Sequence, residues 1–315
     1  MLAIRELKIG NLVLPNNVLM APLAGYTNYP FRKQCLKYGA GLAFPEMMNA
    51  RGFLYNPKGT EALLYTESEE TIKTVQLFGK DPALLRRVAE SETLSQVKLV
   101  DLNMGCPMPK IVKNGEGSAL LGDLALAETI IREVKKSGKL VSVKFRVGLD
   151  EKRIVTEDFA KMCEDAGADL ITVHGRTKEQ VYAGEVRFDE IAKAKRAVGI
   201  PVIANGGVMD EESARNLLDR TGADGIMVAR GALSDPQLFA DLTGGKRDSK
   251  KRMILEQLED TKRLFSPHFT VVFMRKMVAF YIKGMRDSVR FKERLFHSET
   301  EEALRAVIDE IFPEE

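Results

Sequence analysis

With 315 residues, 44% of them hydrophobic and 29% charged, the chain has the make-up of an ordinary globular protein with room for one large domain and a small one. No apolar run is long enough for a bilayer span, and charges interrupt the N-terminal stretch too often for a signal-peptide core, so a cytoplasmic protein without a membrane partner is expected. Cys35, Cys106 and Cys163 are widely spaced and form no CxxC, which argues against a disulfide framework and against a metal site.

The formal net charge of +2 is unevenly placed: residues 246–297 carry +8, residues 298–315 carry −6, and the first 245 residues balance. A basic block of that kind is where a polyanion could dock.

Short apolar or β-branched runs recur through the first 245 residues, each followed by a longer helix-like segment. They are VLMAP (18–22), LAFPEM (42–47), TVQLFG (74–79), LVDLNMGC (99–106), LVSVKFR (140–146), LITVHG (170–175), PVIANGG (201–207) and GIMVARG (225–231). The intervening LALAETIIREVKKSG and DEESARNLLDRTG have helical spacing and end in Gly. One unit per roughly 30 residues, eight in all, predicts an α/β fold of the (β/α)8 TIM-barrel type. An open doubly wound sheet is disfavoured because no GxGxxG follows the first run, and KNGEGSALLG lacks the GK[ST] of a P-loop.

A barrel carries its site at the carboxyl ends of its strands. Those ends hold Pro22, Leu23 and Ala24; Gln76; Asn103 and Cys106; Lys144 and Arg146; His174 and Arg176; Asn205, Gly206 and Gly207; and Ala229 and Arg230. The last two loops are where barrels bind phosphate through backbone N–H groups. Flavin mononucleotide (FMN) suits this set best. The Gly206–Gly207 and Arg230–Gly231 backbone would take its phosphate, Gln76 and Lys144 its ring edge, and small Ala24 and Gly25 would let the ring lie close. Plainer readings stay open: Lys144 as an ion-pairing residue, His174 as a structural hydrogen-bonder, Cys106 as a small hydrophobe like Cys35 and Cys163. The position of Cys106 between Gly105 and Pro107, past a buried strand, favours chemistry.

Beyond Gly231, residues 250–265, 268–286 and 299–312 read as helices, a small all-α bundle. In the second, Arg275, Lys276, Lys283 and Arg286 share a sector apart from the apolar one. That face is either simply solvated or, beside a cationic barrel mouth, a nucleic-acid surface.

VLMAPLAGYTNYPFR, LVDLNMGCPMPKIVKNGEGSALL, VKFRVG, VHGRT, ANGGV and VARGAL, in this order, make the sequence similar to the tRNA-dihydrouridine synthases of bacterial type, with a helical tail of matching position. It departs at Gly207, where the family often has Asp, and at Met277, where many members have His. The resemblance implies an FMN enzyme that reduces the C5=C6 bond of selected uridines in tRNA, D-loop positions foremost, with NADPH as reductant. It implies a catalytic barrel over residues 1–245, a tRNA-binding helical domain over 246–315, and a monomer. Carried over by position, Cys106 is the general acid. FMN contacts come from Pro22, Leu23, Ala24, Gln76, Lys144, His174, Asn205, Gly206, Gly207, Ala229 and Arg230. Asn103, Arg146 and Arg176 face the uridine, and Arg275, Lys276, Lys283 and Arg286 the tRNA. Residues 107–117 are expected as an extra, mobile loop carrying Cys106. Two alternatives are a small-molecule FMN oxidoreductase of the dihydroorotate or dihydropyrimidine dehydrogenase type, which gives no reason for the basic tail, and a non-redox RNA-binding barrel.

Overall fold

The computed structural model describes residues 3–55, 57–68 and 70–313. It opens with an antiparallel hairpin, β1 (Leu7–Ile9) and β2 (Leu12–Leu14), turned at Gly10 with φ +55°. This hairpin was not expected from the sequence, because strands of three residues carry little periodic signal. Leu7, Ile9 and Leu14 join Leu19, Leu99, Leu170, Ile203 and Met227 in one buried cluster, so the hairpin plugs the end of the barrel where the strands begin.

Nine parallel strands follow: β3 (Val18–Met20), β4 (Leu42–Ala43), β5 (Met47–Asn49), β6 (Thr74–Phe78), β7 (Leu99–Met104), β8 (Leu140–Arg146), β9 (Leu170–His174), β10 (Val202–Asn205) and β11 (Gly225–Val228). Their order is β4-β3-β11-β10-β9-β8-β7-β6-β5. The two edges, β4 and β5, are halves of a single run interrupted at 44–46, where Pro45 has no N–H to give a ladder. β4 pairs with β3, β5 pairs with β6, and Thr74 Oγ1 donates to Ala43 O across the gap at 3.0 Å. The sheet thereby closes on itself, and the expected eight-unit α/β barrel is what the chain forms.

Several of the helices between strands start on side-chain caps, while Thr156–Asp165 and Phe188–Ala197 start without one. Asp81, Asp123 and Asp210 each accept a backbone N–H from the first turn of their helices, and Glu211–Thr221 ends on left-handed Gly222. Parallel register then sets alternate residues inward. Asp101 lies opposite Ser142, Asn103 opposite Lys144, and His174 between Arg146 and Asn205.

The tail holds four helices, Lys250–Leu264, Pro267–Tyr281, Ser288–His297 and Glu301–Ile311. The helix expected over 268–286 stops at Tyr281 and Gly284 takes φ +86°, so Lys283 and Arg286 do not share a helix face with Arg275 and Lys276. Ser288–His297 is an additional helix, entered through Asp287 at φ +58° without a side-chain cap, which left its start without a sequence signal. Met253, Ile254, Leu258, Met274 and Met277 belong to the same apolar cluster as the helical layer of the barrel. Lys33 with Asp260 (3.0 Å) and Lys37 with Asp248 (2.7 Å) tie the two across the surface.

The basic block is largely consumed by folding. Arg290 and Arg294 pair with Glu310, Lys262 and Arg305 with Glu301, Lys251 with Asp309, and Arg247 with Asp235 and Asp241. Among the described residues of this block Lys246, Lys283 and Lys292 form no ion pair, and Arg275 and Lys276 hydrogen-bond backbone carbonyls instead.

Candidate active site

The polar ends of the inward-facing rows meet at the carboxyl end of the barrel. β7 delivers Asn103, whose Oδ1 accepts from the N–H groups of Gly105 (3.2 Å) and Cys106 (2.9 Å). Ser118 N–H donates to Cys106 O at 3.0 Å, and Arg146 Nε donates to Gly105 O at 2.8 Å. Gly117 sits at φ +60°, and a Cβ there would lie 2.8 Å from Cys106 O, so only glycine lets the chain return this closely. The Cys106 backbone is therefore held on both sides. Residues 107–117, expected as an extra loop, contain the helical turn Pro109–Lys113.

The Cys106 thiol is half-buried, and burial pushes its pKa up, against the opposing pull of Arg146 and Lys144. It is protonated at neutral pH. Cys35 and Cys163 are fully buried in helices, as expected of small hydrophobes.

Lys144 and Arg146 act on the thiol, and together with Arg176 and Arg230 they surround His174. Lys144 Nζ donates to Asn205 Oδ1 at 3.0 Å, and Asn205 Nδ2 donates to Met227 O at 2.7 Å, which fixes that amide. Arg146 Nη1 donates to Thr177 O, while Arg176 spends Nε and Nη2 on Ala183 O and Gly184 O. Arg176 Nη1 is buried without a partner. Arg230 is the fourth cation, the first residue of the short helix Arg230–Ser234 after β11. Burial first, then Lys144, Arg146, Arg176 and Arg230, hold His174 well below its ordinary pKa. Burial also lowers Lys144, with Arg146 adding to the effect, and brings Arg146 down to about 10.

His174 makes a pH prediction. Its folded pKa lies below the ordinary value of about 6.5, so the unfolded chain binds the extra proton first and stability falls as the pH drops through that value, by about 1.4 kcal/mol per pH unit. Urea unfolding of the apoprotein at pH 7.0 and 5.5 should show this acid-side loss, and His174→Gln should remove that part of it. An unchanged pH dependence would rule out the neutral assignment.

The first loop, after β3, brings Pro22, Leu23 and Ala24 to the same mouth. Gly25 takes φ +79°, its N–H donates to Glu46 Oε2 at 2.5 Å, and Lys276 Nζ of the tail donates to Gly25 O at 2.6 Å. Lys276 also lies 4.2 Å from the centroid of the Tyr26 ring. Gly206 (φ +129°) and Gly207 (φ +77°) end β10, and a Cβ on Gly206 would meet His174 Cδ2 at 3.2 Å. Gln76, Asn103, Cys106, Lys144, Arg146, His174, Arg176 and Asn205 thus share one end of the barrel with the three glycine-bearing loops. The tail residues separate: Arg275 donates to Phe296 O at 3.0 Å, Lys276 reaches the barrel mouth, and the side chains of Lys283 and Arg286 are outside the helix that carries the first two.

The model for the family described as Dihydrouridine synthase (Dus) matches residues 19–315. The chain belongs to the dihydrouridine synthase family. It is 35% identical over 297 residues to tRNA-dihydrouridine synthase B of Vibrio parahaemolyticus, covering 91% of this chain and 92% of that protein. To tRNA-dihydrouridine synthase B of Pseudomonas aeruginosa it is 32% identical over 318 residues, covering 98% and 96%. Among solved structures, histamine dehydrogenase from Rhizobium sp. 4-9 shares the fold at TM-score 0.61 and 12% identity, over 87% of this chain and 50% of that one.

Two features of this dihydrouridine synthase family member were not expected from its sequence. Asp101, with no exposed surface, underlies the site from the middle of β7; a lone acid inside the apolar run LVDLNM was the available signal. Tyr182 lies between Arg146 and Arg230, whose guanidinium carbons are 5.7 and 5.3 Å from its ring centroid. The residue before it, Val181, sits at φ +48°, an uncommon and strained conformation for a β-branched side chain, and no sequence pattern signals it.

Proposed function

We propose that this protein is an FMN-dependent tRNA-dihydrouridine synthase that reduces the C5=C6 bond of uridine in tRNA with NADPH. The observation that carries the reading is a half-buried thiol on a clamped backbone, at the barrel end that also holds Lys144, Arg146, Arg176 and Arg230. The donor set suits FMN. Lys144, Arg146 and Arg176 hydrogen-bond only neutral oxygens, and Arg176 Nη1 has no partner, so the site has positive potential to spare for a phosphate and for an electron-rich ring edge.

Pro22, Leu23, Ala24, Gln76, Lys144, His174, Asn205, Gly206, Gly207, Ala229 and Arg230 would hold the flavin. Bound there, reduced FMN would supply hydride chemistry, and C6 of uracil is the carbon suited to accept it, being conjugated to the C4 carbonyl. Negative charge then gathers on C5 and O4 of the base. Cys106 gives its proton to C5 and recovers it from solvent. Asn103, Arg146 and Arg176 orient the base and oppose the charge on O4. Neutral His174 adds no further positive charge to the cluster. The target uridine has to leave its stack, which an unpaired loop such as the D-loop allows at modest cost. Residues 1–245 serve as the catalytic unit, and 246–315 as the surface that steers tRNA, in a cytoplasmic monomer. Because folding pairs off most of the basic block, the exposed Lys246 and Lys283, half-buried Lys292 and the exposed Arg286 beside Asp287 are the tail cations left to meet phosphates, while Lys276 acts by tying the tail to the first loop.

Purified protein should be yellow, and tRNA from a strain lacking the gene should lack dihydrouridine at defined positions. Colourless protein after FMN addition favours a non-redox RNA-binding role. Reduction of free pyrimidines in place of tRNA favours a small-molecule reductase.

A further inference from the structure

A chain of hydrogen bonds runs from the barrel interior to the thiol loop, and its polarity is fixed from below. Asp101 accepts from Ser142 Oγ at 2.6 Å and from Gln76 Nε2 at 2.6 Å. Gln76 Oε1 in turn accepts from Asn103 Nδ2 at 2.9 Å. That leaves Asn103 Oδ1 to accept from the Gly105 and Cys106 N–H groups. An ionised carboxylate can only accept, so it forces the Gln76 amide to point its NH2 downward and its carbonyl upward. The upward carbonyl then forces the same choice on Asn103. Two amides that could each sit in either orientation are thus set by one charge, and both backbone donors of the thiol loop meet an acceptor rather than another donor.

We infer that Asp101 is a positioning residue for the reaction: through Gln76 and Asn103 it fixes the backbone that carries Cys106, and so the approach of the thiol to the base. Asp101 does not touch that base itself. It lies at the second inward level of β7, one level below Asn103, and has no exposed surface. Ser142 on β8 closes the carboxylate from the other side, which leaves its acceptors occupied without a direct link to the mouth. Burial raises the Asp101 pKa to about 6, against the two hydrogen bonds and nearby Lys144, so the carboxylate is the accepting, ionised form above that pH.

This inference rests on the reading of Cys106 as the proton donor, so its test reads the thiol directly. Cys35 and Cys163 are buried, and iodoacetamide labelling of the folded protein, followed peptide by peptide, reports Cys106 alone. Asp101→Leu removes the charge at similar volume. Its Cys106 should be alkylated about 5- to 10-fold faster at pH 7.5, with the pH inflection moved downward as the loosened thiol gains water. Uridine turnover should fall about 10- to 100-fold in kcat with little change in KM for tRNA, as expected for lost positioning. Asp101→Asn, whose Oδ1 can still accept from Gln76 but whose amide, unlike a carboxylate, can also turn its NH2 that way, should label at a rate between wild type and Asp101→Leu. If Asp101→Leu does not fold, Gln76→Leu cuts the same chain one link higher and should show the same labelling change in the apoprotein. Wild-type labelling in every folded variant that cuts the chain overturns the inference, as does an Asp101→Asn variant no better than Asp101→Leu. If Cys106→Ala keeps full uridine reduction while Asp101→Leu still changes the labelling, the proton-donor reading fails and the positioning of the loop stands.

Discussion

Cys106→Ala is expected to keep bound flavin, flavin reduction by NADPH and tRNA binding, while uridine reduction falls by about 10²- to 10⁴-fold, the range for removing a general acid. The separation follows from where the side chain sits. Cys106 is held by its backbone, through Asn103, Ser118 and the Arg146 contact to Gly105, so removing the sulfur leaves the scaffold in place. The measurement is a single turnover: enzyme is reduced anaerobically, tRNA is added, and flavin reoxidation is followed against time. Normal reoxidation with dihydrouridine formed at the wild-type rate would dismiss the acid assignment. The pH dependence has a definite sign. Burial raises the thiol pKa, so the proton remains available through neutral pH, and the rate should decline only on the alkaline side, where the thiolate forms.

Glu70→Ala should be among the most destabilising single changes in the chain. Arg32, 2% exposed, donates to Glu70 Oε1 at 2.9 Å and Oε2 at 2.8 Å, and its other donors go to Thr27 O and Tyr65 O. The pair fastens the helix Tyr29–Lys37 and the first barrel loop to the stretch that leads into β6. Truncating Glu70 strands a buried guanidinium, at a cost of about 3–5 kcal/mol. Replacing both partners, Arg32→Met with Glu70→Leu, should recover most of that loss, because the desolvation penalty disappears along with the attraction. Chemical denaturation of the two variants decides the matter. A double variant as unstable as Glu70→Ala would mean the site depends on the hydrogen bonds to Thr27 and Tyr65 more than on the charge pair.

The barrel was legible because each strand is a short apolar run and the segments between have helical spacing, both local properties. The mouth was legible because parallel strands must place their carboxyl ends together, so Gln76, Asn103, Lys144, His174 and Asn205 could be grouped before any distance was known. What escaped was non-local. Whether Arg275 faces solvent depends on the carbonyl of Phe296, which no spacing rule connects to it. The +8 of residues 246–297 looked like an open surface, but the acidic residues 298–315 fold back onto it, as Glu310 does onto Arg290 and Arg294. Gly284 mattered more than the apolar stripe that runs through it, since a left-handed residue ends a helix however well its neighbours are spaced. Asp101 was passed over for the opposite reason: it lies inside a strand, and attention falls on strand ends.

The split in the second barrel strand has a mechanical side. Seven strands hydrogen-bond to both neighbours along their length, whereas β4 holds only β3 and β5 holds only β6, with 44–46 bridging the two. A hoop with one discontinuous link yields at that link. The free end of the discontinuity is Glu46, which holds the N–H of Gly25 while Lys276 of the tail holds the carbonyl of the same residue. Part of a load applied to the tail by a large docked molecule is therefore handed, through Gly25, to the discontinuous point of the barrel wall.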